Sequence, residues 1–423
     1  MQTFIIEGGH PLQGEVTISG NKNAALPIIA ATVLTDEPCT LNNLPAIRDV
    51  EVMLQLLQAL GKTVERKGRN EVRISGDIDK TTLDEQLAGQ LRASILFLGP
   101  LLARAGEATL PPPGGCVIGR RGLETHFEAL QSLGALFEPL ESGFRAEAAG
   151  RRRGSTIFLV EPSVTATENA LLLAAAIPEK TVIENAACEP HVVDLARVLT
   201  KMGASVTGAG TNRIEIRGAS PLCGFSHEIV ADHIEAATFA IAAACLHSEI
   251  TIHRAEAVHL RMPAYYWRQM GMAFRFEGER VLHIQPGRLH APERKVQVAP
   301  WPGLPTDLLS PMIVLATQCR GTTLCHDWMF ESRMYFVDKL ISMGANITVC
   351  DPHRVLVSGP TLLRGQTLSS PDIRAGIALL IAALAARGRS EIRHAELIDR
   401  GYERIDERLS RLGAQIERKT AQS

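Results

Sequence analysis

A cysteine in an unusual setting is the first sign of chemistry in this sequence. Cys116 lies in the stretch 111–122, which reads PPPGGCVIGRRG, and Arg120 and Arg121 follow it closely. Glycine lets the backbone approach a ligand, and neighbouring cations favour the reactive thiolate form of cysteine. A cysteine is more often a small buried hydrophobic residue, as we expect for Cys245 in its alanine-rich segment. For Cys116 the surroundings favour a reactive group.

Other polar residues of chemical interest occupy two recurrent kinds of position. One is the start of long apolar segments, where the sequence has Lys22, Asn23, Arg92, Ser163, Asp307, Asp372 and Arg374. The other follows short strand-like segments, where it has Cys116 with Arg120 and Arg121, Glu189, Glu331 with Arg333, and Asp399 with Arg400. Each cation alone is ordinary surface charge. Together they predict a site for phosphate or carboxylate groups, which the planar arginine side chain fits well.

Two acidic residues allow two interpretations each. Asp307 follows PGLPT and precedes an apolar helix, so it is either an N-cap or first-turn residue or a base that accepts a hydroxyl proton. Glu189, in NAACEPHVVDL, is either a first-turn charge or a member of the site. The residues alone leave both questions open.

An internal repeat organises the chain and predicts its fold class. Six amphipathic segments end in a Leu-Gly or Met-Gly pair, as at Gly61, Gly134, Gly203, Gly344 and Gly413. These glycines suit helix C-caps, and their spacing of roughly 70 residues indicates internal duplication. A second, apolar helix and a short strand precede each of them, and a hairpin-like stretch follows five of the six. We therefore predict two similar α/β domains, each of three repeats, with a ligand cleft between them.

Composition excludes several classes of function. The 423 residues carry a formal net charge of −2 and only 4% aromatic residues, which argues against nucleic-acid binding. The eight cysteines show neither Cys-x-x-Cys nor zinc-finger spacing, so we expect a reduced protein without a metal or cofactor. The sequence shows no signal peptide and no apolar stretch near the ~20 residues that span a bilayer. We expect a cytoplasmic enzyme of small-molecule substrates, without a membrane or an obligate protein partner.

Several motifs, in order along almost the whole chain, resemble a known family. They read SGNKNAALPIIAATVLT, LRASILFLGPLLAR, PGGCVIG, ENAACEPHVVDLA, PTDL, MFESR and IDRGYERIDERL. They are similar to the UDP-N-acetylglucosamine 1-carboxyvinyltransferases, a branch of the enolpyruvyl transferases. The cysteine loop separates this branch from the one that makes 5-enolpyruvylshikimate 3-phosphate. The resemblance implies an inside-out α/β barrel fold with domains of residues 1–21 plus 231–423 and 22–230, and an active site in the interdomain cleft.

The resemblance also implies roles for individual residues. It places phosphoenolpyruvate near Lys22, Arg121 and Arg400, and it makes Cys116 the general acid and the target of fosfomycin. It makes Asp307 the base beside the acceptor hydroxyl and Asp372 a further active-site residue. It assigns the nucleotide sugar to Asn23, Arg92, Arg121, Glu124, Ser163, Val164, Asp307, Met329, Arg333 and Arg374. The reaction implied is the first committed step of bacterial peptidoglycan synthesis, on which cell shape and division depend.

The match fails at a few positions on the nucleotide side. The family commonly continues Arg-Pro-Val-Asp after the loop, whereas this chain has Gly122, Leu123 and Glu124 after Arg121. Glu161 replaces a common lysine, Thr165 a usual glycine, and Leu96 a common aromatic residue. Two alternatives follow: a paralogue with another uridine nucleotide such as UMP as acceptor, or a non-catalytic regulator that binds nucleotide sugars.

Overall fold

The computed structural model describes residues 2–114, 122–148, 150 and 152–420. Contacts among these residues define two units. The C-terminal unit contains residues 2–19 and 231–420, and the N-terminal unit contains residues 20–114 and 122–230. The first boundary lies two residues before the predicted division at residue 21. The reason is local: the Ser19 carbonyl accepts from the N–H of Asp232, whereas the N–H of Asn21 donates to Val230.

The helices alternate with short strands along the whole described chain. The α-helices are α1 (Lys22–Ala31), α2 (Arg48–Ala59), α3 (Glu85–Ala88), α4 (Leu98–Ala105), α5 (Glu124–Gln131), α6 (Val164–Ala174), α7 (Pro190–Lys201), α8 (His233–Cys245), α9 (Arg261–Gln269), α10 (Leu309–Gln318), α11 (Val337–Ser342), α12 (Ile373–Ala385) and α13 (Ile405–Arg411). Short 3₁₀ turns cover Thr32–Leu34, Arg92–Phe97, Ala257–Leu260, Thr306–Leu308, Glu331–Met334 and Ala395–Arg400.

The strands are short and mostly paired as hairpins. In chain order they are β1 (Gln2–Glu7), β2 (Gln13–Thr17), β3 (Cys39–Asn42), β4 (Thr63–Gly68), β5 (Glu71–Ser75), β6 (Glu107–Leu110), β7 (Ala135–Pro139), β8 (Phe144–Ala148), β9 (Thr156–Phe158), β10 (Lys180–Glu184), β11 (Ser205–Thr207), β12 (Arg213–Arg217), β13 (Ser226–Glu228), β14 (Glu249–His253), β15 (Ala273–Glu277), β16 (Val281–Gln285), β17 (Val296–Gln297), β18 (Gly321–His326), β19 (Asn346–Asp351), β20 (Arg354–Gly359), β21 (Thr367–Ser369), β22 (Arg389–Arg393) and β23 (Gln415–Thr420).

The predicted sixfold repeat is confirmed in the sheets of the described residues. The N-terminal unit holds the sheets β13-β3-β5-β4, β6-β8-β7 and β11-β12-β10-β9. The C-terminal unit holds β15-β16-β14-β2, β17-β18-β20-β19 and β21-β22-β1-β23. In five of the six sheets the strand after the apolar helix pairs with the second strand of the hairpin that follows the Leu-Gly or Met-Gly motif. The repeating unit is therefore helix, strand, helix and hairpin, as the sequence predicted.

The sixth repeat completes its hairpin with the N-terminus of the chain. After Gly413 the described chain forms one strand, β23. β1 takes the place of the second hairpin strand and pairs antiparallel with both neighbours, so that Ile5 faces Glu391 on one side and Glu417 on the other. This pairing fixes the first residues of the chain in the C-terminal unit.

A further strand, which sequence reasoning missed, precedes the apolar helix of most repeats. β9 runs parallel to β10, β17 to β18 and β21 to β22, and each pair is connected through the buried helix between them. β2 also runs parallel to β14, and β13 runs parallel to β3. Strands of two or three residues, such as β9, are too short for an alternating pattern to be recognisable.

The apolar helices are buried on nearly all sides, as their composition predicted. Every residue of α8, and all but the last of α12, is buried. Polar side chains cap several of their N-termini: Asn21 accepts from the N–H of Ala24, and Asp372 accepts from the N–H groups of Arg374 and Ala375. No helix in the described part of the chain is long and apolar enough to cross a membrane. Several of the polar residues singled out above, such as Lys22 and Asp372, thus lie at the N-terminal ends of buried helices.

Candidate active site

Asp307 lies between two buried arginines of the C-terminal unit. Its Oδ1 is 2.7 Å from Nη2 of Arg333, and its Oδ2 is 2.8 Å from Nη2 of Arg374. The arginine side chains are 7% and 8% exposed, whereas that of Asp307 is 21% exposed. The carboxylate is thus the accessible member of the cluster. A carboxylate that solvent can reach can accept a proton from a ligand hydroxyl.

The interpretation of Asp307 as an N-cap is wrong. The residue lies within the 3₁₀ turn Thr306–Leu308, and α10 begins at Leu309 with Leu308 at its N-cap and no capping side chain. Its carboxylate oxygens contact the guanidinium groups of Arg333 and Arg374 instead. The residue keeps a first-turn position, but its side chain belongs to a charged cluster. This favours a chemical role over helix capping.

Arg374 is a strongly held cation. Burial by itself lowers the pKa of its guanidinium, but Asp307, Tyr402 and Asp232 outweigh this and raise the pKa above its ordinary value. Its backbone is fixed as well, because its N–H donates to Oδ1 of Asp372 at 2.7 Å. Asp372, predicted as an active-site residue, therefore acts in this structure as the N-cap of α12. It places Arg374 at the start of the helix.

Other predicted residues of the C-terminal unit lie in short turns. Arg400 ends the 3₁₀ turn Ala395–Arg400 and is partly exposed. Met329 precedes the turn that carries Arg333, and its N–H donates to Oδ1 of Asp327 at 2.9 Å. Asp399 bonds to Arg418 instead of to a member of the cluster. The structure thus places Asp307 in direct contact with Arg333 and Arg374. Met329 lies just before the turn of Arg333, and Arg400 lies in the turn that follows β22.

In the N-terminal unit, Lys22 is the first residue of α1. Its Nζ is 2.6 Å from Oδ2 of Asp49, a carboxylate at the start of α2 whose side chain is 5% exposed. Asn23 follows it and is partly exposed. Sequence reasoning missed Asp49, although an acidic residue on the buried side of an amphipathic helix is a usable signal. The ion pair holds the lysine ammonium at the N-terminus of α1.

Arg92 and Glu124 line a groove in the N-terminal unit. Nη2 of Arg92 donates to the carbonyl of Gly122 at 2.6 Å. The groove has a volume of about 590 Å³, and Pro112, Phe127 and Phe137 form part of its apolar wall. A cation and a carboxylate on an apolar wall are the kind of lining that small polar ligands use.

Ser163 and Val164 begin α6 in the same unit. The hydroxyl of Ser163 accepts weakly from the N–H of Ala166, at 3.4 Å, so it caps the helix. An oxygen in this position can also donate its hydrogen to an anion at the helix N-terminus. Leu96, by contrast, is only 1% exposed. Its departure from the family pattern is therefore a packing change, and our expectation that it touches the nucleotide side is wrong.

Two of the remaining departures from the family pattern, Glu161 and Thr165, each contact a residue near the start of α5. Oγ1 of Thr125 donates to Oε1 of Glu161 at 3.3 Å. Nε2 of His126 is 2.8 Å from Oγ1 of Thr165. The first turn of α5 is thus bonded to both departures beside the N-terminus of α6.

A buried carboxyl group in α6 also escaped sequence reasoning. Glu168 is 1% exposed, and burial, reinforced by the charge of Glu189, raises the pKa of its carboxyl well above the usual range. Glu189 itself lies at the N-cap of α7, although its side chain makes no capping bond. The sequence signal for Glu168 was a charged residue in the middle of an apolar helix.

Three of the residues singled out from the sequence, Cys116, Arg120 and Arg121, lie outside the described residues. Among the described residues, no group of three His, Cys, Asp or Glu side chains could hold a metal ion.

Comparison with known proteins identifies the family. The model of the EPSP synthase (3-phosphoshikimate 1-carboxyvinyltransferase) family matches residues 6–409. The chain belongs to this family of enolpyruvyl transferases. A UDP-N-acetylglucosamine 1-carboxyvinyltransferase from Bradyrhizobium diazoefficiens is 48% identical and covers 98% of this chain and 97% of the relative. One from Treponema denticola is also 48% identical, over 99% of this chain and 100% of the relative.

A solved structure of the family agrees with the fold. The enolpyruvyl transferase NikO from Streptomyces tendae superposes with a TM-score of 0.88 at 27% sequence identity, over 100% of this chain and 99% of NikO. The predicted fold class, an enolpyruvyl transferase fold of repeated α/β units, is thereby confirmed. So is the prediction that the chain is a 1-carboxyvinyltransferase.

Proposed function

We propose that this enolpyruvyl transferase moves the enolpyruvyl group of phosphoenolpyruvate to the 3-hydroxyl of UDP-N-acetylglucosamine and releases phosphate. The observation that carries the proposal is the Asp307 carboxylate, accessible and held by Arg333 and Arg374. The names of relatives that match over the whole chain support the acceptor. In this proposal the two units of the structure are the two domains of the enzyme.

Each proposed group has a defined part in the reaction. Asp307 accepts the proton of the acceptor hydroxyl while the oxygen of that hydroxyl bonds to carbon 2 of phosphoenolpyruvate. Cys116 delivers a proton to carbon 3. The bond between carbon 2 and the phosphate oxygen then breaks, phosphate leaves with the electron pair, and carbon 3 returns a proton to the Cys116 thiolate, which restores the double bond. Lys22, Arg121 and Arg400 balance the charges of the phosphate and carboxylate groups.

The proposal has a cellular setting. UDP-N-acetylglucosamine is a soluble precursor, and its enolpyruvyl ether is the first dedicated intermediate of peptidoglycan. The enzyme would then act in the bacterial cytoplasm and contribute to cell shape and division. Fosfomycin would inactivate it by alkylation of Cys116.

One observation favours a second candidate acceptor. Glu161 lies two residues before Ser163, the residue that we expect at the diphosphate, and its carboxylate accepts from Thr125. A negative charge there opposes a second phosphate more than a single one. A uridine monophosphate such as UMP is therefore the alternative acceptor. The retained groups Lys22, Asp307 and Arg400 argue against a non-catalytic regulator.

Phosphate release separates these possibilities. We would incubate the enzyme with phosphoenolpyruvate and, in separate reactions, UDP-N-acetylglucosamine, UMP or shikimate 3-phosphate. We expect release with UDP-N-acetylglucosamine and little with the other two. Release with UMP alone would replace the proposed acceptor by the second candidate. Absence of release with every acceptor would contradict enolpyruvyl transfer and favour the regulator.

The charge of Glu161 leads to a separate prediction. We expect Glu161→Lys to lower the KM for UDP-N-acetylglucosamine about threefold at low ionic strength, and less at high salt, because exposed charges are screened. Steady-state kinetics at two salt concentrations measure this. Glu141→Lys is the matched control, since it makes the same change of charge at an exposed position. Equal changes of KM in the two variants would show that Glu161 acts through net charge and not near the diphosphate.

A further inference from the structure

We propose that Tyr402 is a positioning residue of the active site. Its buried hydroxyl holds the Arg374 guanidinium, and through it the Asp307 carboxylate, in the geometry that the reaction uses. The inference rests on the proposed function and adds to it a residue that touches neither substrate. It is carried by a chain of hydrogen bonds whose directions the chemistry of the groups determines.

The chain runs from α8 to Asp307 through three side chains. Oγ1 of Thr238 is 2.7 Å from the carbonyl oxygen of Ile234 and 3.0 Å from the Tyr402 hydroxyl. Nη1 of Arg374 lies 3.2 Å from that same hydroxyl, and its Nη2 contacts Asp307. A single phenolic oxygen thus connects a helix backbone with the arginine that binds the proposed base.

The direction of each bond follows from the donors and acceptors. A carbonyl oxygen only accepts, so the Thr238 hydroxyl donates to Ile234. Thr238 has no second hydrogen, so Tyr402 must donate to it. Arginine only donates, so the Tyr402 oxygen accepts from Arg374. Each hydroxyl hydrogen thus has one acceptor, and the guanidinium is held at Nη1 by Tyr402 and at Nη2 by Asp307.

The chain is shielded from water, which makes its bonds hard to replace. As whole residues, Tyr402 is 1% exposed, Thr238 2% and Arg374 7%. Burial raises the pKa of the Tyr402 hydroxyl, and the charge of Arg374 opposes that rise only in part, so the hydroxyl keeps its hydrogen. A buried N–H that loses its acceptor cannot form a hydrogen bond to water in its place. Removal of the hydroxyl should therefore change the orientation of Arg374.

Tyr402 also belongs to the turn that carries Arg400. The N–H groups of Gly401 and Tyr402 both donate to the carbonyl of Ile398. Gly401 packs so closely on α12 that a Cβ there would lie 2.8 Å from Cγ2 of Ile373. The ring of Tyr402 is therefore fixed from its backbone side as well. The same residue connects the segment of Arg400 with the Arg374 and Asp307 pair.

Tyr402→Phe removes the hydroxyl and leaves the ring in place. We expect kcat to fall about tenfold, with the dissociation constant of the acceptor within twofold of the wild-type value. Tyr266→Phe is the matched control, because its hydroxyl contacts only the backbone of Gln297 among the bonds that the structure shows for it, and we expect wild-type kinetics. An unchanged kcat in Tyr402→Phe would overturn the inference.

A double-mutant cycle separates positioning from general destabilisation. If Tyr402 acts through Arg374, the loss caused by Tyr402→Phe should shrink to less than twofold in an Arg374→Lys background. An equal loss in both backgrounds would overturn the inference.

Side-chain NMR tests the same chain without turnover, so its outcome does not depend on the acceptor. We expect the Arg374 Nη protons to exchange with solvent at least tenfold faster in Tyr402→Phe than in the wild type. Unchanged exchange would overturn the inference even in an active enzyme. A wild-type enzyme that releases no phosphate would instead count against the proposed function.

Discussion

Asp307→Asn is expected to lower kcat by about 10²–10⁴-fold while the dissociation constant of UDP-N-acetylglucosamine changes less than tenfold. The carboxylate is the proposed acceptor of the hydroxyl proton, and loss of a general base has an effect of this size. The amide keeps one acceptor oxygen for Arg333 or Arg374, which alanine would not. Phosphate-release kinetics and calorimetric titration of the acceptor measure the two quantities.

The controls for this variant address stability and charge. A buried arginine left without a partner destabilises a fold, so urea unfolding should show that the variant is folded under the assay conditions. Asp338→Asn makes the same change at an exposed position of α11 and should leave kcat unchanged. If Asp307→Asn retained kcat within threefold of the wild type, Asp307 would not be the base.

Cys116→Ala is expected to abolish covalent labelling by fosfomycin. The reactive form of a thiol is the thiolate, and burial makes it inaccessible at most other cysteines. Burial raises the pKa of Cys39 to about 11 and those of Cys319 and Cys325 to about 12. Intact-protein mass spectrometry after incubation with fosfomycin would show one adduct on the wild type and none on the variant.

Two exposed cysteines provide the matched controls. Cys223 and Cys350 are exposed in the structure, so each could react with a small electrophile. We expect Cys223→Ala and Cys350→Ala to be labelled as fully as the wild type. A covalent adduct that persists on Cys116→Ala would show that Cys116 is not the target.

The repeated architecture was predictable because short sequence patterns specify each repeat. Helix C-cap glycines such as Gly203 and Gly344 adopt positive φ, and the sequence marks them with the same motif each time. Burial of α8 and α12 follows from their apolar composition. The polar residues at the helix starts were also visible, since Lys22 and Asp372 interrupt long apolar runs. Local patterns thus gave the fold class and most of the candidate residues.

The contacts of the site were not predictable, because they join residues far apart in the sequence. Nothing near Asp307 in the chain indicates that Arg374 binds it, nor that Tyr402 accepts from that arginine. The pairing of Lys22 with Asp49 is similar, since nothing near Lys22 in the chain indicates that the buried acid of α2 is its partner. Nor does the sequence indicate that Thr125 donates to Glu161. That Glu161 and Thr165, which depart from the family pattern, both contact α5 is apparent only in three dimensions.

Product analysis with a matched pair of acceptors tests the central claim most directly. The enzyme would be incubated with phosphoenolpyruvate and either UDP-N-acetylglucosamine or its 3-deoxy analogue, with phosphate and the nucleotide product quantified together. We predict equal amounts of phosphate and of a vinyl ether at the 3-position with the first acceptor, and neither product with the analogue. Phosphate release with the 3-deoxy analogue, or release without transfer of carbon to UDP-N-acetylglucosamine, would contradict the proposed reaction.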